Sequence, residues 1–179
     1  MSRYRRADVA GGSYFFTVVT ERRQRILTEP AMRAALRESI ETVRATRPFR
    51  IEAWVLLPDH LHAIWTLPEG DADFATRWRL IKAGVTRRCG ALYGQPQHLT
   101  ARRAAKGCGT LWQHRYWEHL LRDERDFRQH MDYLHYNPVK HGLVQAVKDW
   151  PWSSFHLEVA RGRYPEDWAG IGRAGHDPR

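Results

Sequence analysis

In the stretch "PDHLHAIW", His60 and His62 stand one residue apart inside a run otherwise apolar enough to be a buried strand. Side chains two apart on a strand share a face, so this spacing aims two imidazoles at one region of space. A metal site needs a third ligand. Downstream, in "FRQHMDYLHYN", Tyr133 and Asn137 are four apart and therefore stack on one helix face, away from Phe127, Met131 and Leu134. Two imidazole nitrogens and an amide oxygen leave open positions on a divalent ion such as Mg²⁺ or Mn²⁺, and phosphate oxygens can fill them. Such an ion polarises a phosphodiester, and beside it a phenol with an ordinary pKa of about 10 becomes a competent nucleophile. The chemistry expected is attack by Tyr133 on a nucleic-acid backbone, giving a phosphotyrosine. Tyr136 is the rival nucleophile, but it is turned by about 100° from Asn137 round the helix. His130 is expected to flank the site, and His135 to be solvated or to touch phosphate.

These residues need elements to hold them. "GGSYFFTVVT" reads as a first strand. Pro30 opens a helix in which Met32, Leu36, Ile40 and Val43 recur at helical spacing, and Pro48 closes it. "RIEAWVLL" and "HLHAIWTL" read as two strands joined through "PD" into a hairpin, with the histidines at the start of its second arm. A basic helix follows, packed through Trp78, Ile81 and Val85 and decorated by Arg77, Arg79, Lys82, Arg87 and Arg88. Residues 94–110 have no period and read as a mobile loop. "LWQHRYWEHLLRD" returns to strand character, Asp123 and Asp126 cap the next helix, and Pro138 is expected to end it. The order of elements predicts an α+β fold, an antiparallel sheet of ferredoxin-like topology covered by helices. Residues 1–145 are expected to form the catalytic domain, with 146–179 as a tail wrapped on it.

At 179 residues and 42% hydrophobic, the chain can bury one core. Its 29 Lys and Arg against 20 Asp and Glu, a formal charge of +9, point to a polyanionic partner. Nucleic acid leads, with an anionic membrane surface second. The chain has neither a run of about 18 apolar residues nor a signal-peptide pattern, so the expectation is a cytoplasmic protein, nucleoid-associated when bound to DNA. Its two cysteines are too few for a disulfide framework. Phosphate contacts are expected from Arg5 and Arg6 in the N-terminal arm, from Arg77, Arg79, Lys82, Arg87 and Arg88, and from Arg102 and Arg103 in "ARRAAK".

The blocks "PDHLHAIWTLPEGDADFATRWRLIK", "LWQHRYWEHLLRDERDF", "YLHYNPVKHGLV" and "WPWSSFH", taken in order, resemble the REP-associated tyrosine transposases, a branch of the single-tyrosine HUH endonucleases. The likeness runs from "YRRADVAGGSYFFT" to "YPEDWAG". It implies that His60 and His62 are the HUH histidines around Leu61, that Tyr133 is the nucleophile, and that Asn137 falls where related enzymes carry a third ligand. It implies a single-stranded substrate, a repetitive extragenic palindrome folded as an imperfect hairpin with a short flanking guide. Related insertion-sequence transposases work as dimers that exchange tyrosines, whereas the longer tail here favours a monomer.

Two other readings remain open on sequence alone. A non-catalytic module could stack bases on "YFF" across an exposed sheet, as RNA-recognition sheets do. A metallohydrolase could use a metal-bound hydroxide at the histidine pair and leave Tyr133 dispensable.

Overall fold

Alternation of apolar residues along "SYFFTVV" and "HLHAIWT" produces strands with two usable faces, and the fold covers both. The structure, a computed structural model, describes residues 9–105 and 109–170, with the side chains of Arg102 and Arg103 outside the description. Arg5, Arg6 and Cys108 also lie outside the described residues. The elements are β1 (Ser13–Val19), α1 (Pro30–Thr46), β2 (Arg50–Leu56), β3 (His60–Thr66), α2 (Phe74–Tyr93), α3 (Ala101–Ala105), β4 (Trp117–Leu120), α4 (Glu124–Lys140) and α5 (Phe155–Ala160). The four strands pair antiparallel in the order β2-β3-β1-β4. With the succession β1-α1-β2-β3-α2-β4, this is the ferredoxin-like α+β arrangement expected.

One sheet face carries Tyr14, Phe16, Val18, Leu61, Ala63 and Trp65, packed against α1 and α2. Pro30 sits in the first turn of α1, and Met32, Leu36 and Val43 are buried, as the periodicity predicted. Trp78 of α2 stacks on Trp65 with ring centres 4.1 Å apart. The other face carries Phe15, Ala53, Val55 and Ile64 beneath Met131 and Leu134 of α4. Tyr14, Phe15 and Phe16 are all fully buried between these layers. The sheet therefore offers no exposed "YFF" platform, which removes the basis of the base-stacking module.

The chain after α4 returns to the edge of the sheet. Trp150 donates its indole N–H to the carbonyl of Leu56, Leu56 N–H donates to Trp152, and Ser153 bridges to Val55. Tyr164 donates to Asp132 of α4 at 2.6 Å. This segment thus ties α4 to β2.

Several local expectations are corrected. The helix does not end at Pro138 but runs to Lys140. Proline there removes one N–H near the end of the helix, where a missing bond costs little. Bonds from His141, Gly142 and Leu143 back to Asn137, Val139 and Pro138 close the turn, with Gly142 at φ 66°. The segment 94–110 is not wholly irregular, since it holds a 3-10 turn at Pro96–His98 and α3. Strand character in "LWQHRYWEHLLRD" is limited to the four residues of β4 and a single antiparallel bridge from Trp112 to Thr20. Asp123 caps α4, accepting from Asp126 N–H at 2.8 Å, and the Asp126 carboxylate in turn accepts from the Arg122 N–H just before the helix at 3.2 Å.

Candidate functional site

The site is built on β3 and α4. His60 and His62 follow the hairpin turn, and the turn is pinned because Thr20 donates both its N–H and its hydroxyl to the carbonyl of Asp59. Both imidazoles face α4, with ring centres 5.0 Å apart. Each is oriented through Nδ1: that of His60 lies 2.7 Å from the Asp59 carboxylate, and that of His62 lies 2.9 Å from the Thr17 hydroxyl across the β1–β3 pair. Such partners fix ring rotation and leave the other nitrogen to face the site.

Tyr133 meets this pair from above. Its ring lies edge-on to His62, 5.4 Å between centres, and both pack against Phe15. Asn137, one turn further along α4, is fully buried rather than displayed on an open helix face. Nε2 of His62 and both amide atoms of Asn137 are buried and lack a hydrogen bond of good geometry among the described residues. Buried polar atoms in that condition are costly, and three of them converging is the mark of a site that takes a ligand. Tyr136 is exposed on another side of the helix, and the backbone of Gly170 lies against its ring.

Electrostatics favour neutral imidazole at His62. Burial pushes His62 well below the usual imidazole range, the charges of His60 and His141 push it further, and the nearby Asn137 amide opposes them. A neutral ring is the form that ligates metal. Asp59 is held at about 2: burial raises it, but the hydrogen bonds from His60 and Arg23 prevail.

Two neighbours were missed from the sequence because the helix was ended at Pro138. Lys140 places Nζ 4.8 Å from the centre of the Tyr133 ring. His141 brings its ring within 5.1 Å of His60. The spacing Tyr133, Asn137, His141 is four and four, so the helical period carried a signal that extended past the proline.

The other expected residues divide. His130 does lie beside the site, 5.0 Å from Phe15. His135 is not solvated: it is fully buried against Phe155 and Tyr164, with Nδ1 3.3 Å from the Ser153 hydroxyl. Burial lowers it to about 4. Arg77 is not a phosphate contact. Its side chain is 1% exposed and donates to the Asp71 carboxylate and to the carbonyls of Arg47, Pro48 and Asp73, because the first turn of α2 packs into the α1–β2 connection. Lys82 donates to the Gln113 carbonyl, and the exposed Arg88 pairs with Glu38. Arg79 and Arg87 are exposed on α2. Among the described residues no helix is long and apolar enough to cross a membrane.

No family model matches the chain. Over 171 residues, 95% of this chain and 92% of the relative, it is 49% identical to the REP-associated tyrosine transposase of Escherichia coli K12. A Haemophilus influenzae protein assigned provisionally to the same group is 43% identical over 173 residues, 95% of this chain and 94% of its own length. A solved structure of a REP-associated tyrosine transposase bound to a REP hairpin superposes with a TM-score of 0.80 at 48% identity, covering 98% of this chain and 95% of that one. With a histidine pair and a tyrosine brought together on this frame, the chain belongs to the REP-associated tyrosine transposases.

Proposed function

We propose that the chain cleaves and rejoins single-stranded DNA bearing hairpins of the repetitive extragenic palindrome type, with Tyr133 as nucleophile. The observation that carries this reading is the edge-on approach of Tyr133 to His62 within one chain, at 5.4 Å. Tyr133 Oη bonds to the scissile phosphorus as the bond from phosphorus to the 3′ oxygen breaks. The phenol gives up its proton, the 3′ oxygen gains one, and the 5′ end stays on the protein as a phosphotyrosine. A free 3′ hydroxyl can later reverse the step without an external energy source.

His60, His62 and Asn137 fit a divalent ion, judged by the convergence of ring nitrogens and the orphaned Asn137 amide. Mg²⁺ or Mn²⁺ bound there supplies Lewis-acid polarisation of the phosphodiester. Asp59 and Thr17 orient the imidazoles, and Lys140 offers positive charge beside the phenol ring. Residues 1–145 carry this chemistry, and the described part of the following segment, through Trp150, Trp152 and Tyr164, holds α4 over its own sheet. That arrangement lets a cytoplasmic monomer complete its site without a second copy. The hairpin as partner follows the relative whose structure is bound to one. Exposed Arg79 and Arg87, with Arg5, Arg6, Arg102 and Arg103, supply phosphate contacts.

The test is a labelled hairpin oligonucleotide with a single-stranded flank, incubated with protein and Mn²⁺, then run under denaturing conditions. Wild type forms a denaturant-resistant adduct, Tyr133→Phe forms none, and Tyr136→Phe retains it. An adduct that persists in Tyr133→Phe overturns the assignment, and cleavage without any adduct favours the hydrolase.

A further inference from the structure

A second group of metal-ligating side chains lies outside His60, His62 and Asn137. His119 on β4 stands opposite Phe15 of β1 and so faces α4. Its Nε2 is 3.0 and 3.2 Å from the two carboxylate oxygens of Asp126, in the first turn of α4. His130, one turn on, places Nδ1 3.1 Å from Asp126 Oδ1. One donor atom from each of the three lies within 4.8 Å of the others. Asp126 also accepts from the Arg122 N–H at the start of α4, but the helix N-cap bond itself is made by Asp123, and neither histidine takes part in it.

We propose that His119, Asp126 and His130 form a second metal site, specific for a borderline divalent ion of the Zn²⁺ class. Two nitrogens and one carboxylate are the donor set that such ions take in three-ligand sites, with the remaining position left to solvent. Mg²⁺ disfavours it, because it prefers oxygen and keeps its waters. Ring spacing agrees. With metal–nitrogen bonds of about 2.0–2.1 Å and a ring centre roughly 1.1 Å beyond the nitrogen, two imidazoles on one ion have centres about 4.5–5.2 Å apart. Those of His119 and His130 are 4.6 Å apart; the rings are stacked, 17° from parallel, so ligation, which uses the lone pair in each ring plane, requires one imidazole to rotate about its side-chain bonds.

The Asp126 carboxylate lies within hydrogen-bond distance of His119 Nε2 and accepts from the N–H and guanidinium of Arg122. Binding moves each imidazole proton to the nitrogen away from the ion. Nδ1 of His130, now 2.8 Å from the Asp126 carbonyl, exchanges that bond if it is the ligating atom. Arg122, the cation nearest the carboxylate, is 73% exposed at its side chain and free to swing into water. The ion would fasten β4 to the first turns of the helix that carries Tyr133, so the site is structural. It stands whether or not Tyr133 is the nucleophile.

Co²⁺ is the probe, because its visible absorption reports nitrogen-rich coordination. Full-length His60→Gln/His62→Gln protein is expected to bind one equivalent of Co²⁺, displaced by equimolar Zn²⁺ but not by a large excess of Mg²⁺. Adding His119→Gln, a partly exposed strand position, or His130→Gln should weaken that binding roughly tenfold or more. As a readout in otherwise unaltered protein, Zn²⁺ should raise the thermal midpoint of wild type and should raise that of His119→Gln less. Absence of Co²⁺ binding in the folded double variant overturns the proposal, as does undiminished binding after His119→Gln and His130→Gln. DNA adduct formation is scored separately, so loss of the Tyr133 chemistry and loss of this site are distinguishable.

Discussion

Tyr133 and His62 meet edge-on over Phe15, their ring centres 5.4 Å apart, although one belongs to a helix and the other to a central strand. The contact is held from behind by the segment after α4. Trp150 and Trp152 fasten that segment to β2, and Tyr164 fastens it to Asp132, one residue before the tyrosine. Tyr133 and the histidine pair are thus placed by one chain.

Ligand and orienting residues should separate by metal affinity. Asn137→Leu removes the oxygen donor and is expected to lower Mn²⁺ affinity and hairpin cleavage while the protein stays folded. Asn137→Asp retains a donor and should keep partial activity. Asp59→Asn leaves all three ligands but loosens His60, and should cost about 10- to 100-fold in affinity. Isothermal titration with Mn²⁺ checks all three, and wild-type affinity in Asn137→Leu removes that residue from the site.

Buried and exposed arginines of α2 should differ in what they change. Arg77→Met removes a buried guanidinium that satisfies three backbone carbonyls and pairs with the partly exposed Asp71, with an expected loss of about 2 kcal/mol in urea unfolding. Arg79→Ala and Arg87→Ala should leave stability within about 0.5 kcal/mol. Where either contacts a phosphate, the salt slope of hairpin binding falls by about one. A stability loss confined to Arg79→Ala contradicts the placement.

Acid should destabilise the protein partly through His135. Folding depresses its pKa from 6.5 to about 4, so the unfolded chain binds more protons between those values. The contribution is present above pH 6.5 and is lost as pH falls toward 4. From pH 7 to pH 5 the loss from this residue is about 2 kcal/mol. Urea unfolding of wild type and His135→Phe at both pH values checks it: the variant should show a smaller drop.

Sequence by itself determined the local geometry of the site. Period two puts His60 and His62 on one face, and period 3.6 puts Tyr133 and Asn137 on another, because side-chain direction in a regular element depends only on position. The strand and helix order that makes the sheet ferredoxin-like was legible for the same reason. Tertiary structure decided what those faces meet. Pro138 was an ending by local rule, yet bonds from three following residues carried the helix past it and delivered Lys140 and His141 to the site. Arg77 and His135 looked solvated by residue type, but packing between elements distant in sequence buried both. The His119, Asp126 and His130 cluster crosses from β4 to α4, and its distances depend on how a strand and a helix dock. Charge and periodicity act within a segment, whereas burial and convergence arise between segments, and the latter decide which polar side chains face water and which face one another.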